Sequence, residues 1–109
     1  MASNDASADG LLIEAVGGVR VGSWNASWPF ASIKVFPDRV TLKMPVWGET
    51  TLPKTEITSV RKVGWLPIPI AQGLRFHHRI SGMPAKVVFL TGSRNAIYDS
   101  LQAAGYPTA

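Results

Sequence analysis

The 109-residue sequence predicts a mainly β domain, in which about seven antiparallel strands form a barrel that one C-terminal α-helix caps. Three observations support this prediction. Segments with an apolar residue at every second position recur along the chain, Gly and Pro separate them, and a single amphipathic segment comes last. Because the strands come first and the helix last, without β–α alternation, we expect an antiparallel sheet.

Composition and charge indicate a folded domain and do not point to a particular catalytic or binding chemistry. The chain is 46% hydrophobic and 17% charged, and no apolar run approaches the roughly 20 residues that cross a bilayer. It has no cysteine, which removes disulfides and thiolate chemistry and fits a cytoplasmic protein. We expect residues 1–10 to be a disordered tail and residues 11–109 to form one domain. The net charge of +4 permits an anionic partner, although ordinary solubility explains it equally well.

The first strand is expected between Val19 and Trp24, where Val19 and Val21 alternate with polar residues. The apolar run before it is too short to type as helix or strand, and Gly17-Gly18 is expected to break the chain there. The small polar residues before Trp28 are typical of a bend or a bulge.

A β-hairpin is the clearest local prediction. Two period-two segments flank Pro37-Asp38, and the proline presets the φ angle of a turn. Both segments carry their apolar residues on one face, as a half-buried antiparallel pair requires. These inward residues are Ala31, Ile33, Val35, Val40, Leu42 and Met44.

Three further strands follow in the pattern. A short one at Thr50–Leu52 is stopped by Pro53, and Ile57 and Val60 lead into another. Residues 73–80 then return to period two, which puts the apolar side chains and His78 on one face and the cationic ones on the other.

The last strand and the helix close the domain. Residues 86–91 are an apolar, β-branched run, and Ser93 is a candidate N-cap for the helix after it. Ile97 and Leu101 fall on one stripe that must be buried. Gly105 and Tyr106 predict a Schellman ending, with Tyr106 packed back on Leu101.

This order of seven strands and a capping helix resembles the pleckstrin-homology (PH) superfold, and in particular its compact bacterial PH-like and GRAM-like relatives. The resemblance covers about residues 19–106 and implies a barrel used for binding, without enzymatic activity of its own. Eukaryotic relatives often bind phosphoinositides through a basic first hairpin loop, but residues 22–29 here contain no Lys or Arg. Bacterial relatives are interaction modules, some of them oligomeric. The resemblance is carried by Pro29–Val35, Val40–Leu42, Ile57, Gly73–His78, Val88–Leu90 and the helix.

An enzyme is not expected from these residues. The only histidines, His77 and His78, are neighbours on one strand, so their side chains point to opposite faces and cannot share a site. We expect a hydrogen-bonded core position for His78, and Arg75 and Arg79 to disfavour protonation of His77. No phosphate-binding glycine loop is present, and no cofactor or metal is expected.

Two stretches are candidates for binding, each with a structural alternative. An apolar segment with two prolines can contact a partner, or can fold over the barrel mouth and complete the core. It contains Trp65, Leu66, Ile68 and Ile70. A basic face can meet an anionic partner, or can be simply a solvated strand surface. It would comprise Arg61, Lys62, Arg75, His77, Arg79 and Lys86.

The sequence therefore predicts a non-enzymatic binding module that mediates protein–protein contact or self-association, in the cytoplasm. The first alternative is peripheral binding to anionic lipid at a membrane surface, with the apolar segment inserted beside the basic strand. The second is a barrel that encloses a small ligand. Nucleic acid is not expected, because Phe76 points away from the cations with which it would have to be interleaved.

Overall fold

The computed structural model describes residues 10–45, 48–64 and 72–109. A single 3₁₀ turn, Lys54–Glu56, lies between the fourth and fifth strands. The described part of the chain thus contains seven strands and one C-terminal α-helix, which confirms the predicted mainly β class. The strands are β1 (Ile13–Val21), β2 (Trp24–Val35), β3 (Arg39–Met44), β4 (Gly48–Pro53), β5 (Ile57–Val63), β6 (Gly73–His78) and β7 (Val87–Leu90), and the helix is α1 (Arg94–Ala103).

All seven strands belong to one antiparallel sheet in the order β4-β3-β2-β1-β7-β6-β5. The sheet curls into a half-barrel. Strand β1 therefore joins two units, the β2–β3–β4 meander on one side and the β5–β6–β7 meander on the other. Buried apolar side chains from both units and from α1 form one core on the concave side. We call the opposite, convex side the outer face.

The predicted β2–β3 hairpin is confirmed. Ile33 lies opposite Leu42 and Val35 opposite Val40, and all four side chains are buried. The Phe36 N–H donates to the Arg39 carbonyl at 2.8 Å, which closes the turn. Local alternation and a proline turn were sufficient to specify this element.

Strand β1 is longer than predicted. The expectation that Gly17-Gly18 breaks the chain is wrong, because both glycines lie inside β1 and are buried. A Cβ atom at Gly17 would overlap the Leu90 carbonyl oxygen of β7 and approach the Phe89 ring to 2.7 Å. Gly17 therefore allows the close approach of β7, and Gly18 allows that of the β2 backbone, since its Cβ atom would lie 2.9 Å from the Ala26 carbonyl oxygen. Neither glycine ends the strand.

The expected bulge is present but lies later than predicted, since Asn25 and Ala26 pair regularly with β1 and only Ser27 of the polar stretch belongs to it. The β1–β2 register moves from Gly17–Ala31 directly to Val19–Ala26, so that β2 carries four residues, 27–30, opposite one residue of β1. This bulge lies within β2 and pushes its residues out of regular pairing.

Helix α1 packs its predicted stripe inward, with Ile97 and Leu101 fully buried. The Schellman ending is confirmed: the Tyr106 N–H donates to the Leu101 carbonyl, the Gly105 N–H donates to that of Gln102, and Gly105 has a φ of +85°. Ser93 is the N-cap residue, as predicted, but the side-chain cap expected from its hydroxyl is wrong, because it makes no capping hydrogen bond.

Residues 107–109 return to the free edge of β5. The Val60 N–H donates to the Pro107 carbonyl at 2.9 Å, and the Ala109 N–H donates to the Val60 carbonyl at 3.0 Å. The Tyr98 hydroxyl of α1 donates to the Ala109 carbonyl at 2.8 Å. The end of the described chain thus covers part of one sheet edge.

Candidate functional site: the outer face of the sheet

Three arginines stand in one row across the outer face. Strand register puts Arg20 of β1 and Arg75 of β6 on either side of Val88 in β7, and Arg61 of β5 directly opposite Arg75. We call Arg20, Arg75 and Arg61 the arginine row. Val88 is only 7% exposed although it lies on the outer face, because long side chains stand on both sides of it.

Lys86 and His77 extend this row along the strands. Lys86 precedes β7, where its carbonyl accepts a hydrogen bond from the Gly22 N–H at 2.8 Å. His77 lies on β6 two residues after Arg75, opposite Ser59 of β5. Side-chain alternation puts both on the same face as Arg75. Five nitrogen-bearing side chains therefore share one half of the outer face.

No carboxylate neutralises this half of the sheet in the part of the chain that the structure describes. The ion pairs found there join Arg39 to Asp38 at 2.8 Å and Arg79 to Glu56 at 3.7 Å. Neither pair involves the arginine row or Lys86. The row therefore presents uncompensated positive charge to solvent.

Two of the six predicted members of the basic face lie elsewhere. Lys62 is wrong: it points to the other side of the sheet, where its Nζ lies 4.7 Å from the centre of the Tyr98 ring of α1. Arg79 lies beyond the end of β6. It pairs with Glu56 and donates to the Thr55 carbonyl at 2.7 Å, so its charge is directed to the 3₁₀ turn.

Arg20 is the cation that the sequence reasoning missed. It joins the face only because β1 pairs with β7 at the other end of the chain. Alternation about the buried Val19 and Val21 does indicate that Arg20 points outward, which is the available sequence signal.

Two open grooves meet at Arg20 and Leu90. The first, of about 330 Å³, is cationic, and Val88 and Leu90 give it an apolar floor. The second, of about 290 Å³, lies over the bulge of β2, and its lining includes Asn25, Ser27 and Trp28. We call them the cationic groove and the Trp28 groove. The cationic groove is lined by Arg20, Val63, Gly64, Arg75, Lys86, Val88 and Leu90.

Polar nitrogen atoms on this face lack partners. Arg75 Nε and His77 Nε2 are both buried as atoms and form no hydrogen bond. Unsatisfied buried donors are costly, and they are often found where a water or a ligand belongs. Their residues lie two positions apart on the same face of β6.

The pKa of His77 is held below its ordinary value of 6.5. Burial of the ring is the largest cause, followed by the positive charges of Arg75 and Arg61 and then by His78. The predicted direction is therefore confirmed, with Arg61 in place of Arg79 as the second arginine. A bound anion would act in the opposite sense and favour the protonated ring.

His78 faces the other way and has a structural role. Its Nδ1 accepts the Ile80 N–H at 3.0 Å, which leaves Nε2 as the protonated nitrogen that donates to the Pro84 carbonyl at 2.9 Å. The ring thus fixes the turn after β6. It is hydrogen-bonded as predicted but only half-buried.

Exposed apolar side chains lie on β1 and β2, and one of them shares a groove with Arg20. Phe30 is 69% exposed, Val16 is 54% exposed and Trp28 is 45% exposed. Val16 and Phe30 flank the Gly17–Ala31 pair, and Trp28 lines a groove together with Arg20. Large aromatic residues at this exposure mark contact surfaces, and Trp and Arg are the residues enriched at the centres of protein interfaces.

The predicted apolar segment, Trp65, Leu66, Ile68 and Ile70, lies outside the described residues. Its two flanks are anchored. Arg94 of α1 donates to the Gly64 carbonyl at 2.7 Å, and Gln72 donates to the Thr91 carbonyl at 3.2 Å. Gly64 also lines the cationic groove.

Within residues 10–45, 48–64 and 72–109, no three His, Cys, Asp or Glu side chains are grouped as metal ligands. No helix in these ranges is long and apolar enough to cross a membrane.

No protein-family model matches the chain, and no curated protein matches it. Among solved structures, the chain is similar to the C-terminal domain of an unknown protein from Leishmania infantum, with a TM-score of 0.69 and 12% sequence identity. The match covers 92% of this chain and 87% of that one. At this identity the likeness concerns the fold alone.

Proposed function

We propose that this protein is a non-enzymatic, PH-like binding module whose outer face holds an acidic segment of a protein partner. The observation that carries the proposal is the arginine row, uncompensated by any described carboxylate, together with exposed Trp28, which lines a groove with Arg20. The seven antiparallel strands and the C-terminal helix support the PH-like part of the proposal, as does their order. The proposal also includes the cytoplasmic location that the sequence predicts.

The residue types favour recognition over simple solubility. Lysine serves solubility as well as arginine does, whereas the arginine fork pairs with carboxylates in two parallel hydrogen bonds and stacks on aromatic rings. This half of the face carries three arginines and one lysine. Because these side chains stand on neighbouring strands, their spacing is set before a partner binds, which lowers the free-energy cost of binding.

Self-association through this face is disfavoured by its charge. Two copies that met face to face would bring two uncompensated arginine rows together, and like charges across an interface cost several kcal/mol. A partner with alternating acidic and apolar side chains complements both the row and the exposed aromatic rings.

Selection of binding peptides tests the proposal. Random 12-residue peptides are displayed and selected on the immobilised domain, and enriched peptides are then measured individually by isothermal titration calorimetry. We expect acidic residues combined with aromatic or aliphatic ones, bound at least about tenfold more weakly by the Arg20→Gln/Arg75→Gln variant. The matched control is Lys34→Gln/Lys43→Gln, which removes the same charge from the β2–β3 part of the outer face and should bind normally.

Three results would overturn the proposal. Enriched peptides could lack any acidic bias, or the two double variants could bind them equally. The third is tighter binding to vesicles with anionic lipid, or to a single-stranded oligonucleotide, than to any selected peptide, because the partner would then not be a protein.

A further inference from the structure

We propose that the cationic groove is a site for a phosphoryl group, carried by a phosphorylated serine or threonine of the partner segment. This inference rests on the proposed function, because it names the group that the acidic segment inserts. It concerns the part of the outer face where Arg20, Arg75 and Lys86 line one groove.

Charge is the first argument. Three cations surround a single groove of about 330 Å³, and no described carboxylate is paired with them. A carboxylate supplies one negative charge and two oxygen atoms. A phosphoryl group supplies about −1.5 to −2 at neutral pH and three oxygen atoms, which matches three cations more closely.

Unused donors are the second argument. Arg75 Nε is buried and has no hydrogen-bond partner, although the rest of the side chain is half-exposed. No hydrogen bond or ion pair with the described residues uses the guanidinium fork of Arg75, and such a fork binds tetrahedral oxyanions with two parallel bonds. Lys86 would add a point charge from the β7 side of the groove.

The shape of the surface favours a short side chain as the carrier. The groove is open, and Val88 and Leu90 form its floor, so a phosphoryl group on serine or threonine reaches the cations while the peptide backbone stays above the sheet. The Trp28 groove continues from the shared Arg20 and Leu90. It offers an aromatic ring to a neighbouring apolar side chain and the Asn25 amide to the peptide backbone.

The His77 ring can report whether an anion occupies the cationic groove. It follows Arg75 by two residues on the same face, and its Nε2 also lacks a partner. A dianion in the groove would offset the positive charges of Arg75 and Arg61 on this ring. Nuclear magnetic resonance titration of the His77 ring should therefore show a higher pKa when the groove is filled.

Three peptide libraries with identical random flanks and a central serine, glutamate or phosphoserine test the site. Binding to the full chain is measured by fluorescence anisotropy. We expect the phosphoserine library to bind at least about tenfold more tightly than both others. Arg75→Gln should abolish this preference, Arg75→Lys should restore part of it by returning the charge without the fork, and Lys43→Gln should leave it unchanged.

The outcomes separate this inference from the function on which it rests. If the glutamate and phosphoserine libraries bound equally, and both more tightly than the serine library, the phosphoryl site would be overturned while the acidic-segment function stands. Failure of all three, together with failure of the display selection, would remove both. A preference that survives in Arg75→Gln would put the phosphoryl group elsewhere. Tighter binding to phosphatidic acid vesicles or to an oligonucleotide would overturn the peptide as its carrier.

Discussion

Replacing Arg61 with glutamine should stabilise the fold. Arg61 and Arg75 lie directly opposite each other on β5 and β6, and no described carboxylate lies between or beside them. Like charges in this position are destabilising by about 0.2–1 kcal/mol. Coulomb's law gives the same size, since two unit charges about 6 Å apart in water repel by about 0.7 kcal/mol. Arg61 is exposed, so glutamine should fit there without loss of packing.

The measurement is urea denaturation at low and at high salt. In about 0.02 M NaCl, Arg61→Gln should raise the free energy of unfolding by about 0.2–1 kcal/mol, or the melting temperature by roughly 1–6 °C. The gain should shrink near 1 M NaCl, where charges are screened within about 3 Å.

A double-mutant cycle with Arg75→Gln checks the assignment. Once Arg75 is neutral, the gain from Arg61→Gln should largely disappear. If Arg61→Gln lowered the free energy of unfolding, or if it raised it equally at low and high salt, repulsion between the arginines would be refuted as the cause. If the variants behave as expected, the arginine row lowers the free energy of unfolding of the protein, as functional surfaces often do.

Three other predictions concern the fold and its pH dependence. Tyr106→Phe removes a buried hydroxyl that donates to the Phe36 carbonyl at 2.6 Å, and should cost about 1–3 kcal/mol in urea denaturation; an unchanged midpoint would contradict this. Gly17→Ala drives a methyl group against the Leu90 carbonyl, and should cost at least about 1–3 kcal/mol; wild-type stability would show that β1 and β7 do not pack this closely. The lowered pKa of His77 means that the unfolded chain takes up its proton first, near pH 6.5, so stability should fall as the pH drops below that value. His77→Gln should flatten this fall between pH 7.5 and pH 5.5, and an equally steep fall in the variant would count against it.

Elements set by local pattern were predictable from the sequence. The β2–β3 hairpin depends on alternation around Pro37-Asp38, and the end of α1 depends on Gly105 followed by an apolar residue. Both signals lie within a few residues of the structure they specify. The number of strands and the antiparallel sheet follow from the same local signals.

Features set by distant contacts were not predictable. In the sequence, Gly17 looks like the end of a strand. Its role, which is to allow β7 to approach β1 closely, depends on the pairing of these two distant strands. Thr91, two residues before the expected cap, accepts the Ser93 N–H at 3.1 Å. The Thr91 hydroxyl donates in turn to the Val16 carbonyl at 3.2 Å. A bond to so remote a strand has no signature in the local sequence.

The candidate site was predictable in part. Arg61, Arg75, His77 and Lys86 do share one face, as the period-two pattern indicates. The error at Lys62 was avoidable, because neighbours on a strand point to opposite sides. Arg20 and the exposed Trp28 required the strand order and the bulge, which no local pattern encodes.

The return of residues 107–109 to β5 limits how this sheet can grow. Val60 already exchanges backbone hydrogen bonds with Pro107 and Ala109, so a neighbouring chain cannot pair there without displacing them. Strand β4 borders the sheet on the other side and ends in Pro53. If two molecules joined through their β4 strands, both outlying β5 borders would be partly covered at Val60, which disfavours growth of the assembly beyond a pair. Blocking one edge of the sheet in this way protects a β protein from open-ended strand pairing into fibres.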